Sequence, residues 1–402
     1  MHRELLIAAG PGEWRAALLE AGVPIELYVE RGDRHEAGSI HLGHVRRLLP
    51  GLAAALVDIG GERPAFLPRG ETVPRGRPLH VGERVIVQIR REAQGGKATR
   101  ATERVRSVAG EPAEEAELRR RGILDRAARL EPPARLDPAP TFAAALRGAL
   151  LAMPDRILVD DPGIIPEIRA AFPGFAVEHV PEAEWTIDLD EVFAEALSQT
   201  VTVPAAGSVH FEATRAGVLI DVDSGTPETG SPERTGIETN LAAAATIARQ
   251  IRLRNLGGGI VVDFVGLDRR ALRDKVRAAL AEALASDLAG PQILGWTRLG
   301  HLELVRPRRG RPLAEALLEP RAGGARIKTA LTMAHEVLRA LRRETRAQPG
   351  RQWHLIVAPE VAASMAGDAA LAVQETERRF ARKIVIEANP DFDRERFQIA
   401  PL

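Results

Sequence analysis

Three consecutive segments restrict the possible folds of this chain more than any other feature: GVLIDVD at residues 217–223, a helical run at residues 241–254 closed by Gly257-Gly258-Gly259, and IVVDFV at residues 260–265. The two short runs of Val, Leu and Ile have the length of strands, and the segment between them has the length and the closing glycines of a helix. A strand, helix and strand in succession indicate α/β architecture. Side chains two apart in a strand share a face, so Asp221 and Asp223 point the same way, opposite to Ile220 and Val222. A third acid, Asp263, sits near the end of the second strand. Acids set among such apolar residues are expected to be buried, where an unpaired carboxylate is costly and a divalent cation would satisfy all three. Spacing alone leaves another reading open, in which acids at strand ends cap a following helix or pair with Arg.

The rest of the chain supplies further modules. Residues 37–110 alternate apolar and polar positions, as at Val85, Val87 and Ile89, with breaks at Gly60-Gly61 and Gly95-Gly96. This pattern predicts a small antiparallel barrel of the oligonucleotide-binding kind. Residues 111–140 read as a helix and a Pro-rich extended linker, and TFAAALRGALLAMPDRILVDDP begins more α/β material. After a basic link broken by Gly and Pro, two helices alternate with strands at HLIVAPE and KIVIEANP, a small α+β unit. With 402 residues and 45% hydrophobic content the chain can bury several cores.

Composition narrows the chemistry. The absence of Cys excludes disulfides, thiol catalysis and cysteine-held zinc, leaving His, Asp and Glu as possible metal ligands. Oxygen ligands favour Mg2+ or Mn2+. The 55 basic and 55 acidic residues cancel, so any nucleic-acid footprint must come from how charge is distributed. No stretch reaches the roughly 18 apolar residues of a membrane span, which predicts a cytoplasmic protein without a membrane partner. The triple glycine lacks a Gly-Lys-Ser/Thr or Gly-x-Gly-x-x-Gly context, so no nucleotide cofactor is expected. Arg298 in the TRLG turn and the run Arg306, Arg308, Arg309 and Arg311 are candidate phosphate ligands, with a solvated linker as the other reading of that run. Arg249 and Arg252, three apart on the central helix, share a face that meets either phosphate or solvent.

The run GVLIDVDSG followed by TNLAAAATIARQIRLRNLGGGIVVDFVGL resembles the catalytic core of the ribonuclease E and ribonuclease G family. The resemblance implies a metal-dependent endoribonuclease in which Asp221 and Asp263 hold one Mg2+ ion, with Mn2+ as an alternative. Its partner would be single-stranded RNA, cleaved by in-line attack of water to give a 5′ phosphate and a 3′ hydroxyl. Asp223 stands where the family has Asn. The added anion leaves three outcomes open: tighter metal binding, repulsion of the scissile phosphate, or altered metal preference. The segments RELLIAAGPGEWRAALLEAG, VDIGGERPAFLP and GGK resemble the family's S1 domain inserted into a ribonuclease H-like fold. On that resemblance Phe66 and Lys97 hold a base, and Leu56 at the family's other aromatic position weakens the grip.

The same resemblance predicts a shortened family member. Residues 1–36 and 138–204 would form a split ribonuclease H-like domain, 37–110 the S1 barrel, and 111–137 a helix and linker in place of the family's 5′ sensor. Residues 205–311 would form a deoxyribonuclease I-like catalytic domain, 312–327 a linker in place of the cysteine zinc clamp, and 328–402 the small domain. Internal cleavage without 5′ dependence and a protein without zinc follow, with a homodimer through the small domain as a further option. The alternative function is an RNA-binding protein on the same scaffold that has lost cleavage, favoured by Asp223 and Leu56.

Overall fold

Three strands follow the amino terminus: β1 (Arg3–Ala9), β2 (Glu13–Glu20) and β3 (Val23–Arg31). The computed structural model describes residues 2–31, 37–91, 98–108, 111–203, 207–225, 231–321 and 324–402. The chain divides into two units, Met1–Glu30 with Leu151–Ile165 and Phe175–Leu402, and Arg31–Leu150 with Pro166–Gly174.

The second unit is built on β4 (Ile40–Leu49), β5 (Ala54–Asp58), β6 (Ala65–Pro68), β7 (Arg84–Arg91) and β8 (Arg100–Thr102). Strand β4 pairs with both β5 and β7, which closes the ring β4-β5-β6-β8-β7 into a five-stranded barrel, as the alternating pattern predicts for an S1 or oligonucleotide-binding module. Inward residues Val45, Val57, Leu67, Val85, Val87 and Ile89 fill it. Helix α1 (Ala113–Arg129) follows. The segment after it is not a free linker: β9 (Ala134–Asp137) pairs antiparallel with β4, and Leu136 joins Ile40, Leu42, Ile123 and Ala127 in a satellite core. An extended segment beside an open strand edge gains ladder hydrogen bonds and buries its one large apolar side chain. Helix α2 (Phe142–Ala149) completes this stretch.

In the first unit the chain returns as β10 (Arg156–Val159), α3 (Ile165–Ala171, most of which belongs to the barrel unit), β11 (Ala176–His179) and α4 (Leu189–Leu197). The resulting sheet has the order β11-β10-β1-β2-β3, with β1, β10 and β11 parallel and β2 antiparallel to β1. Segments on both sides of the barrel thus share one sheet. Strands β1 and β2 are buried along nearly their whole length, as expected of strands covered on both faces.

A second sheet carries the sharpest sequence pattern. Strands β12 (Thr200–Thr202), β13 (Ser208–Ala213) and β14 (Val218–Asp223) lead to helix α5 (Pro232–Leu253), then β15 (Gly258–Asp263), α6 (Arg270–Leu284), β16 (Gln292–Trp296) and β17 (Leu302–Arg306). The strand order is β12-β13-β14-β15-β17-β16. Helix α5 begins nine residues before the predicted start because Ser231 caps it, accepting from the Arg234 amide at 3.3 Å, with Pro232 in the first turn. Val218, Ile220, Val222, Ile260 and Val262 pack with Ala244, Ile247, Ile251, Val276 and Leu280 in one core.

The basic link also acquires structure, as α7 (Leu313–Leu317) and a two-stranded ribbon of β18 (Leu318–Pro320) and β19 (Arg326–Lys328). Helices α8 (Ala330–Ala347), α9 (Pro359–Ala366) and α10 (Ala370–Phe380) pack on a sheet of order β21-β20-β22, formed by β20 (Trp353–Val357), β21 (Val385–Ala388) and β22 (Phe397–Pro401). Its core joins Met333, Val337, Leu341, Leu355 and Val357. Among the described residues no helix is long and apolar enough to cross a membrane.

Candidate active site

Strands β14 and β15 pair in parallel with Asp221 directly opposite Asp263. Neighbouring strands lie about 4.8 Å apart, so the two carboxylates stand side by side at the carboxyl ends of adjacent parallel strands. They are not buried, as expected from their apolar surroundings. Strand β14 alternates strictly, with Val218, Ile220 and Val222 inside and Leu219, Asp221 and Asp223 outside. The side chain of Asp263 is 57% exposed. The apolar residues belong to the helix-covered face and the acids to the open one, so repulsion between neighbouring anions, not burial, is what a cation would relieve.

Among the described residues neither Asp221 nor Asp263 pairs with Lys or Arg, and no group of three or more His, Asp or Glu side chains forms a metal cage. Two hard oxygen donors on an open face suit a cation that keeps most of its water and takes one or two carboxylates. Asp223 is committed differently. Its Oδ1 accepts from the Gly225 amide at 2.9 Å, a local turn that the Oδ1 of Asn would make equally well. The difference from Asn is therefore confined to the second oxygen and its charge.

Two histidines flank the acids, and neither was evident from the sequence. His301 Nε2 lies 3.5 Å from Asp263 Oδ2, and His210 is the cross-strand neighbour of Asp221, its Nδ1 3.0 Å from Thr200 Oγ1. Only the antiparallel register Val262↔Leu302 brings His301 to this end of the sheet. The turn before it is fastened by Thr297, whose amide donates to the His301 carbonyl at 2.8 Å and whose Oγ1 accepts from the His301 amide at 3.1 Å. That turn presents Arg298, exposed, at the Asp263 end.

The other candidate arginines stand elsewhere. Arg306 pairs in register with Gly258, five residues and about 17 Å along the strand from Asp263. It is 3% exposed, its Nε 2.7 Å from Asp287 Oδ2 and its Nη1 2.8 Å from the Leu256 carbonyl. It is a buried structural cation, not a groove residue. Arg308 lies against the glycine run at the same end, with Nε 3.3 Å from the Gly257 carbonyl. Gly258 adopts φ +98°, and a Cβ there would meet the Arg308 guanidinium at 2.9 Å, which accounts for the glycine. Arg309 and Arg311 accept from Asn255 through their carbonyls, at 3.2 Å for Arg311. Arg249 and Arg252 are both engaged by the protein: Arg249, partly exposed, binds Glu195 and the Pro24 carbonyl, and buried Arg252 binds Glu20 and Glu26.

On the barrel, cross-strand register aligns Arg47, Leu56, Phe66 and Arg100 across β4, β5, β6 and β8, with Arg91 next on β7. Leu56 and Phe66 are half-buried and the three arginines exposed. Phe66 thus sits on the outer wall, between Leu56 on one neighbouring strand and Arg100 on the other. Lys97, with Gly95-Gly96, lies outside the described residues.

Comparison with known proteins gives a consistent result. The model of the Ribonuclease E/G family matches residues 108–309. Ribonuclease G of Salmonella typhimurium strain SL1344 is 25% identical over 492 aligned positions, and Ribonuclease G of Escherichia coli strain K12 is 26% identical over 493, in each case over 99% of both chains. Ribonuclease E of Haemophilus influenzae is 27% identical over 99% of this chain and 52% of its own length. Such alignments are longer than the 402 residues present, so they contain gaps in this chain. The match to the family model takes in both acid-bearing strands and the helix between them, and on that basis the chain is a member of the ribonuclease E/G family.

Proposed function

We propose that this protein is an endoribonuclease that cuts single-stranded RNA internally at the Asp221 and Asp263 pair, leaving a 5′ phosphate and a 3′ hydroxyl. The observation that carries the reading is the in-register juxtaposition of two carboxylates on the open face of the β12–β17 sheet, in a chain of this family. Asp221 and Asp263 would hold a single Mg2+, or Mn2+, which supplies a Lewis acid for the phosphodiester and promotes deprotonation of the attacking water. Arg298 is the cation suited to draw a phosphate toward that end, and Asp223, with one oxygen tied to Gly225, adds negative charge beside it. The barrel row gives single strands an apolar step for a base and flanking charges for phosphates. The sheet order β11-β10-β1-β2-β3, interrupted by the barrel, supports a split ribonuclease H-like domain, and the second sheet a deoxyribonuclease I-like domain. A helix and one added strand fill the place of the 5′ sensor, so cleavage should ignore the 5′ end, in a cytoplasmic setting.

The test is a single-stranded RNA labelled at one end and carrying a 5′ hydroxyl or a 5′ monophosphate, incubated with Mg2+, Mn2+ or chelator. Internal cuts that need the cation and proceed equally on both substrates are expected. Binding without cuts, with cuts appearing in Asp223→Asn, would establish instead an RNA-binding protein disabled by that carboxylate.

The barrel row yields its own prediction. Phe66→Ala should weaken single-strand binding by about 1 to 3 kcal/mol, whereas Arg47→Ala and Arg100→Ala should each reduce the slope of log affinity against log salt by about 0.7. Fluorescence anisotropy across a salt series separates the two effects.

A further inference from the structure

We propose that Asn240 is a positioning residue for the carboxylate pair, holding the chain just beyond Asp263 in place from the helix that follows Asp221; this rests on the nuclease reading above. Asn240 is fully buried on α5, where an amide side chain is unfavourable unless both its donor and its acceptor are used. Both are used on one residue: Nδ2 donates to the Val265 carbonyl at 2.8 Å and Oδ1 accepts from the Val265 amide at 2.9 Å. The pairing of β15 with β14 ends at Asp221↔Asp263, so the Val265 backbone lies just beyond that ladder. The Asn240 amide replaces the strand that is missing there.

A second feature of the same helix face points the same way. Gly236, one turn before Asn240, would meet the Val265 side chain at 3.3 Å if it carried a Cβ. A bare backbone at 236 and an amide at 240 form a ledge against which residues 265–267 rest. The ladder between β14 and β15 sets the two carboxylates side by side, and the ledge fastens the chain leaving Asp263 to the helix that follows Asp221 in sequence, which holds the Asp263 end of the pair in place. A cation site with only two protein ligands needs its donors held to within about 0.5 Å.

The experiment measures Mn2+ affinity by electron paramagnetic resonance, together with kcat and KM on RNA, for wild type, Asn240→Ala, Asn240→Asp and Leu284→Ala. Leu284 lies at the far end of α6 in the same core and serves as a control for lost stability alone. Asn240→Asp retains the acceptor for the Val265 amide and adds a negative charge, which by itself would tighten cation binding. The expected result is Mn2+ affinity about tenfold weaker in both Asn240 variants, with lower kcat and unchanged KM, and unaltered affinity in Leu284→Ala. Folded Asn240 variants with wild-type Mn2+ affinity and kcat would overturn the positioning role and leave the nuclease reading intact. Wild type that neither binds Mn2+ nor cuts RNA would overturn both.

Discussion

Asp263→Asn is expected to lower RNA cleavage by more than about a hundredfold, because loss of an outer partner of a metal ligand alone costs about 10- to 100-fold and, on the proposed reading, this change removes a ligand itself. Thermal unfolding should barely move. The side chain is exposed, has no Arg or Lys partner among the described residues, and ends a strand whose packing depends on Ile260 and Val262. Surface substitutions of this type stay within about 0.5 kcal/mol, and removing one of two adjacent anions shifts that small term toward stability. Single-turnover cleavage and a melting curve on the same preparation separate the two quantities. A variant as active as wild type would exclude Asp263 as a ligand.

Arg306→Ala should have the opposite profile, a loss of about 3 to 5 kcal/mol of stability with little change in cleavage by the protein that remains folded. The guanidinium and Asp287 are both almost wholly buried, so truncation leaves Asp287 uncompensated and removes the donor to the Leu256 carbonyl. Arg308→Ala, two residues on, past the end of the strand and exposed, should fall within about 0.5 kcal/mol. Urea unfolding measures both, and a salt series on RNA affinity checks that neither changes the number of phosphate contacts. If Arg306→Ala were stable and selectively weakened RNA binding, its assignment as a structural cation would be wrong.

These two residues also show how far the sequence alone reaches. The order of acid-bearing strand, helix and acid-bearing strand was legible, because length, apolar content and closing glycines are local signals. So was the barrel, whose alternation at Val85, Val87 and Ile89 survives in its interior. Whether the acids were buried was harder to read, since Leu219 and Val261 place apolar side chains on the open face and disguise the alternation of VLIDVD and GGIVVD. Arg306 reads in sequence as a phosphate ligand or a solvated linker residue for a related reason. In LELVR the burial parity puts Leu302, Leu304 and Arg306 inside, but that parity emerges only once the start of the strand is known.

What was illegible depends on distant partners. Arg249 and Arg252 look like surface cations on a helix until Glu20, Glu26 and Glu195, far away in the chain, are brought against them. His301 looks like a turn residue until β17 pairs antiparallel with β15. Asn240 carries no signal at all without the Val265 backbone beside it.

The most direct test of the cleavage site is the single-turnover rate on one RNA for Asp221→Asn, Asp263→Asn and the double variant. Two carboxylates that hold one cation act as a unit, so either substitution alone should bring the rate to the same floor and the second should remove nothing more. Independent losses that multiply in the double variant, or cleavage surviving in either single variant, would contradict a shared site at the ends of β14 and β15.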